Sequence, residues 1–166
     1  LLKRFIIGLL ISSVFFRMPL GIVAESAEGK LLVYEIKDEE IEATIMDVDV
    51  EEQAVEEKIV NLFEILTTLD YNENQIQLIP YKSAIDLCLY KDGHVDVVFN
   101  EELNNYGGSA HEFFMVNQLL YMVFELEDIK TVSFYIEDRE VFTEGTLINN
   151  YTEEQFIERM KQSESY

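Results

Sequence analysis

Two periodicities alternate along the chain. Leu32, Tyr34 and Ile36 recur at every second position within Lys30–Asp38, and Ile41, Ala43 and Ile45 do so within Ile41–Val50. Such alternation predicts two strands with one apolar face each, joined by the polar turn Asp38-Glu39-Glu40. Across Glu51–Leu69 the period lengthens, and Val55, Ile59, Leu62, Phe63, Leu66 and Leu69 fall on one helical stripe. Asp49 with Glu52 three residues on resembles a capping pair for that helix. Asp70–Pro80 is polar, holds Asn72, Asn74 and Pro80, and reads as a connector.

Ser83–Asn100 carries the strongest local signal. Ile85, Leu87 and Leu89 alternate, as do Val95, Val97 and Phe99, with Asp92-Gly93 between them. Asp-Gly supplies the positive φ angles that a two-residue hairpin turn demands. After the turn-rich Asn104-Asn105-Tyr106-Gly107-Gly108, Ser109–Asp128 predicts a helix that is apolar nearly all round, and therefore central. Ser109 and Glu112 have the spacing of a capping box at its start. Thr131–Glu137 returns to period two, and Thr152–Lys161 predicts a short last helix opened by Thr152 and Gln155. The order β-β-α-β-β-α-β, plus the C-terminal helix, predicts an α+β fold. It takes the form of a small mixed sheet with two main helices packed on one face. The chain divides into a leader over 1–24, a domain over 30–146, and a tail over 147–166 carrying the short helix.

Charge narrows the function. Asp and Glu number 33 against 12 Lys and Arg, a formal net charge of −21. A nucleic-acid binder needs clustered cations to neutralise phosphates, and docking on anionic lipid needs a basic patch; both are excluded. Disorder is excluded as well, since 48% of residues are apolar and 12% aromatic. Three of the basic residues, Lys3, Arg4 and Arg17, precede Glu25, the first acid. With the apolar stretch Phe5–Phe16 and the small-residue edge Ile22-Val23-Ala24, they read as an export signal or an N-terminal anchor. That stretch is shorter than the ~20 residues a membrane span needs. Export leaves 9 basic and 33 acidic residues, or −24.

No catalytic constellation stands out. Asp47-x-Asp49-x-Glu51 lacks the glycine and the distal glutamate of a calcium loop, having Glu52 and Lys58 there. His94 and His111 lack metal-ligand spacing and read as solvated. The one cysteine, Cys88, excludes an internal disulfide and sits beside Asp86, which disfavours a thiolate. Gly107-Gly108-Ser109-x-x-Glu112 suits a capped helix start better than a phosphate cradle, given the missing third glycine and lysine. No cofactor or metal is expected. Asp86 and Asp96 on facing hairpin strands are the pair an acidic hydrolase would use, and a small ligand-binding module would need a lined pocket.

The run Lys91-Asp92-Gly93-His94-Val95-Asp96-Val97-Val98-Phe99, followed by Asn104-Asn105-Tyr106-Gly107-Gly108-Ser109-Ala110-x-Glu112, resembles the GerMN domain family. So do Asn117-Gln118-Leu119-Leu120-Tyr121 and Val132-Ser133-Phe134-Tyr135-Ile136. The similarity covers roughly residues 52–145, with Asp92, Gly93, Phe99, Tyr106, Gly107, Gly108, Ser109 and Glu112 as its motif residues. The resemblance implies an exported, non-catalytic module folded like ring-building domains, acting in sporulation, germination or envelope maintenance. It supplies no catalytic residue. The expected partner is an envelope protein, contacted at open sheet edges. The negative charge makes identical subunits repel and favours a basic partner, or divalent cations as a bridge.

Overall fold

The computed structural model describes residues 27–50 and 53–163. The leader read at 1–24 lies outside the described residues, as does Glu52. Strands β1 (Ala27–Lys37) and β2 (Glu40–Val50) form a long antiparallel hairpin. Its turn is Asp38-Glu39 alone, with φ of 52° and 70°, the handedness that matches the twist of paired strands. Helix α1 (Val55–Thr68) buries Ile59, Leu62, Phe63 and Leu66. It starts after Ala54 with no side-chain cap. Asp49 lies in β2 opposite Glu28, too far back along the chain to cap it. Within the connector, β3 (Gln75–Ile76) pairs with Tyr34 and Glu35, so β1 is the middle strand of the order β2-β1-β3.

The second hairpin is β4 (Ile85–Lys91) and β5 (His94–Phe99), turned by Asp92 and Gly93 at φ of 53° and 89°. β6 (Thr131–Ile136) lies parallel to β5, and β7 (Tyr151–Thr152) completes the order β4-β5-β6-β7. Helices α2 (Ser109–Phe124) and α3 (Glu153–Ser163) are the other two α-helices among the described residues. The fold class is α+β, but the strands divide between two sheets instead of sharing one. The cause lies in β1, where the consecutive residues Leu31, Leu32, Val33 and Tyr34 are all buried. A strand apolar on both faces needs cover on both, which a single sheet with helices on one side does not give. Eleven of the sixteen residues of α2 are buried, and this helix packs against β1, α1 and α3.

Both sheets and all three helices contribute to one core that includes Leu31, Phe63, Phe99, Leu119, Phe134 and Phe156. The Phe99 ring sits 5.3 Å from Phe63 and 5.5 Å from Phe134. Segment 147–163, read as a tail, supplies β7 and α3 and buries Ile148 and Phe156. Its capping box forms: the Thr152 amide donates to Gln155 Oε1 at 2.8 Å, and the Gln155 amide to Thr152 Oγ1 at 3.2 Å.

One hairpin face is inverted relative to its pattern. The register of β4 on β5 shifts between Ile85 and Leu87, a bulge that exchanges the two sides of the strand beyond it. Leu87 and Leu89 are therefore 47% and 52% exposed. Cys88 and Tyr90, opposite Val97 and Val95, pack on the core in their place.

Candidate functional site

The glycine-rich motif folds into a clamp around one carboxylate. Beyond Phe99, the 3-10 turn Glu101–Asn104 buries Leu103 and delivers Tyr106 to the start of α2. Gly108 takes φ 82° and ψ 157°, a region that essentially only glycine occupies, whereas Gly107 meets nothing that would exclude a side chain. Gly108 is itself the N-cap, and no side chain caps the helix. Ser109 and Glu112 thus do not form the capping box that their spacing suggests. Glu112, 2% exposed, points instead at the loop between β6 and β7. It accepts the Tyr106 hydroxyl, the Glu144 amide at 2.6 Å and the Thr146 amide at 2.9 Å. The Tyr106 oxygen in turn accepts the Thr143 amide at 3.0 Å, and Thr143 Oγ1 donates to Asn104 Oδ1 at 3.0 Å.

The electrostatics of the clamp follow from these bonds. Burial pushes the Glu112 carboxyl upward, but the donors from Thr146, Tyr106 and Glu144 outweigh it and hold the group below the usual carboxylate range. Burial, then the neighbouring Glu112, lifts Tyr106 to about 12, so at neutral pH it remains a hydroxyl donor. A carboxylate engaged by three donors within the fold has a structural duty and little capacity left to move protons. Asp92 and Gly93 are not part of this cluster. They sit at the opposite end of β5, roughly 20 Å away by strand rise, where the Gly93 carbonyl accepts the Lys130 and Thr131 amides at 2.7 and 3.2 Å.

Among the described residues, the other reactive side chains lie apart from this clamp. His94 is half-buried on the sheet surface, with Nδ1 2.8 Å from Thr131 Oγ1 and Nε2 3.1 Å from Asp96 Oδ1. This row resembles a nucleophile–histidine–acid relay, but it lies across the outer face of a sheet, and it lines neither of the two hollows described next. His111 is also half-buried, with Nε2 2.7 Å from the Leu78 carbonyl. Asp96 lies across from Leu89, while Asp86 falls in the bulge, so the register separates the carboxylates a hydrolase would pair. Cys88 borders a hollow of about 370 Å³ with Glu56, Glu57, Val60 and Asn61. Burial, then Glu56 and Asp96, push its thiol up to about 12, which leaves it inert. A second hollow, about 240 Å³, lies at α3 beside Tyr151 and Arg159. Among the described residues, no three His, Cys, Asp or Glu side chains are grouped to hold a metal ion.

The Germane family model, described as sporulation and spore germination, matches residues 24–142. The chain belongs to the Germane family. Its fold is similar to the first GerMN domain of the sporulation protein GerM from Bacillus subtilis, with a TM-score of 0.57. Identity there is 16%, over 78% of this chain and 99% of that one. Against the tandem GerMN domains of the same protein the TM-score is 0.55, at 17% identity over 76% of this chain and 46% of that one. A candidate lipoprotein from Clostridium perfringens gives 0.52, at 12% identity over 82% and 94%. Identities this low establish the fold alone. No curated protein matches the chain.

In this Germane domain the matched region includes the β1–β2 hairpin, which precedes the motif residues in the chain. Among the described residues, no helix is long and apolar enough to cross a membrane. Two features escaped the sequence. Arg159 of α3 lies over the Phe113 ring at 4.5 Å, with Nε donating to Asn117 Oδ1 at 2.5 Å and Nη2 to the Phe113 carbonyl at 3.3 Å. Ile36, Ile41 and Ile45, assigned to an apolar strand face, are 54%, 48% and 54% exposed. The period-two signal was present, but alternation does not say whether the apolar face meets a core.

Proposed function

We propose that this chain is an exported, non-catalytic interaction module in an extracytoplasmic assembly linked to sporulation or spore germination. Membership of the Germane family supports the biological setting. The leader-like segment 1–24, with its cations, apolar run and small-residue edge, supports export. The observation that carries the non-catalytic reading is Glu112: the one buried carboxylate of the motif is engaged by a hydroxyl and two backbone amides that fix a loop. The partner is an envelope protein, reached by contact at the domain surface, and its contact patch is basic because the domain is strongly acidic.

Deletion of the gene in its native host, followed by complementation, tests this. The full chain restores sporulation or germination efficiency, and a version lacking residues 1–24 does not. Equal rescue by the leaderless chain would overturn export. Absence of any spore phenotype on deletion would overturn the setting.

A further inference from the structure

The geometry points to the free edge of β2 as a docking site for an extended segment of a partner protein that alternates apolar residues with Lys or Arg. This rests on the interaction-module reading and specifies its surface. β2 is eleven residues long and terminal in its sheet, with only β1 beside it among the described strands. The direction of its unpaired backbone groups follows from β1. The Ile36 amide donates to the Asn74 carbonyl at 2.8 Å, and the Leu32 carbonyl accepts Gln118 Nε2 at 2.7 Å. Both groups thus point away from β2. The residues opposite them, Ile41 and Ile45, occupy non-hydrogen-bonded positions of the ladder. Such positions turn their own N–H and C=O outward. By alternation, Ala43 does the same.

Side chains give the edge its selectivity. Ile41, Ala43 and Ile45 share one face of β2 and are exposed, joined by Ile36 across the ladder. The opposite face presents Glu40 and Glu42, with Glu35 beside Glu42, and Lys37 lies 3.2 Å from Glu42. β2 holds four acids, Glu40, Glu42, Asp47 and Asp49, and no base. A strand added to this edge therefore places apolar side chains against the isoleucines and cations against the glutamates, at period two. A second copy of β2 would set four acids against four, so charge selects a basic partner strand and disfavours self-pairing.

The test uses the purified chain and three synthetic decapeptides: alternating valine–lysine, alternating valine–glutamate, and valine–lysine N-methylated along one edge. Only the first is expected to bind, to slow hydrogen exchange at Ile41, Ala43 and Ile45, and to weaken about tenfold or more from low to 0.5 M salt. Ala43→Pro removes an outward N–H while leaving the ladder to β1 intact, and should weaken binding about tenfold. Ala43→Val should retain it. A Glu40→Lys/Glu42→Lys variant reverses the preference towards the glutamate peptide, which keeps the test decisive if the proline variant fails to fold. Equal binding of both unmethylated peptides, protection elsewhere than β2, or a dimer broken by Ala43→Pro would each overturn the assignment. These measurements are made on the isolated chain, so a negative result leaves the spore-assembly reading to its own genetic test.

Discussion

At the scale of single residues, Glu112 shows how a side chain with the spacing of a helix cap in sequence takes up a different structural duty in space. Its carboxylate is nearly inaccessible and receives three donors from Tyr106 and the 144–146 turn. Glu112→Gln preserves shape but sets an amide NH2 against donors, and is expected to cost about 2 kcal/mol at pH 7. The pH dependence has a definite sign. A carboxyl held below its ordinary pKa in the folded state adds stability that is complete above the unfolded pKa and disappears as pH falls through the folded one. The difference in urea midpoint between wild type and Glu112→Gln should thus narrow between pH 7 and about pH 3. A constant gap over that range would show that ionisation of Glu112 does not hold the turn. Two glycines are fixed for different reasons. Gly108 is fixed by its backbone angles, while Gly29, which no motif marks, is fixed by space: a Cβ there would lie 2.5 Å from Val50 and 2.9 Å from Leu62.

At the scale of elements, local patterns were legible where neighbours in sequence are also neighbours in space. The Asp92-Gly93 hairpin and the Thr152–Gln155 capping box are closed by contacts within a few residues. Ser109–Glu112 has the same capping spacing but fails, because Gly108 caps by its backbone and a loop 32 residues away recruits the carboxylate. The bulge in β4 was illegible for a related reason: alternation is unbroken in sequence, and only pairing with β5 reveals the slip. The attachment of α3 is likewise long-range. Two of its anchors are Phe156, whose ring is 5.7 Å from Phe124, and Arg159 across α2. Arg159→Ala removes the stacked cation and strips the fully buried Asn117 of its donor, at an expected cost of about 2 kcal/mol. Hydrogen exchange should then quicken across Glu153–Ser163 and stay slow in α2. Uniform acceleration of both helices would instead mean that α3 and α2 unfold as one unit.

At the scale of the whole molecule, charge is the dominant unbalanced term. Against a net charge of −21, the ion pairs among the described residues include Lys37–Glu42 and Lys161–Glu158, both exposed. Exposed pairs contribute little, so the excess acids repel one another and destabilise the compact state. The same repulsion keeps two β2 edges apart, which links the charge to the surface it protects. Screening should therefore stabilise the domain. Raising NaCl from 0.05 to 0.5 M contracts the Debye length severalfold and is expected to lift the melting temperature by about 5 °C. Because the described residues contain no cluster suited to a metal, MgCl2 and NaCl at matched ionic strength should give coinciding curves. A rise produced by millimolar Mg²⁺ beyond the matched NaCl control would reveal a specific cation site and would support a cation bridge between subunits. A flat or falling response to NaCl would show that the acidic surface is not the term that limits stability.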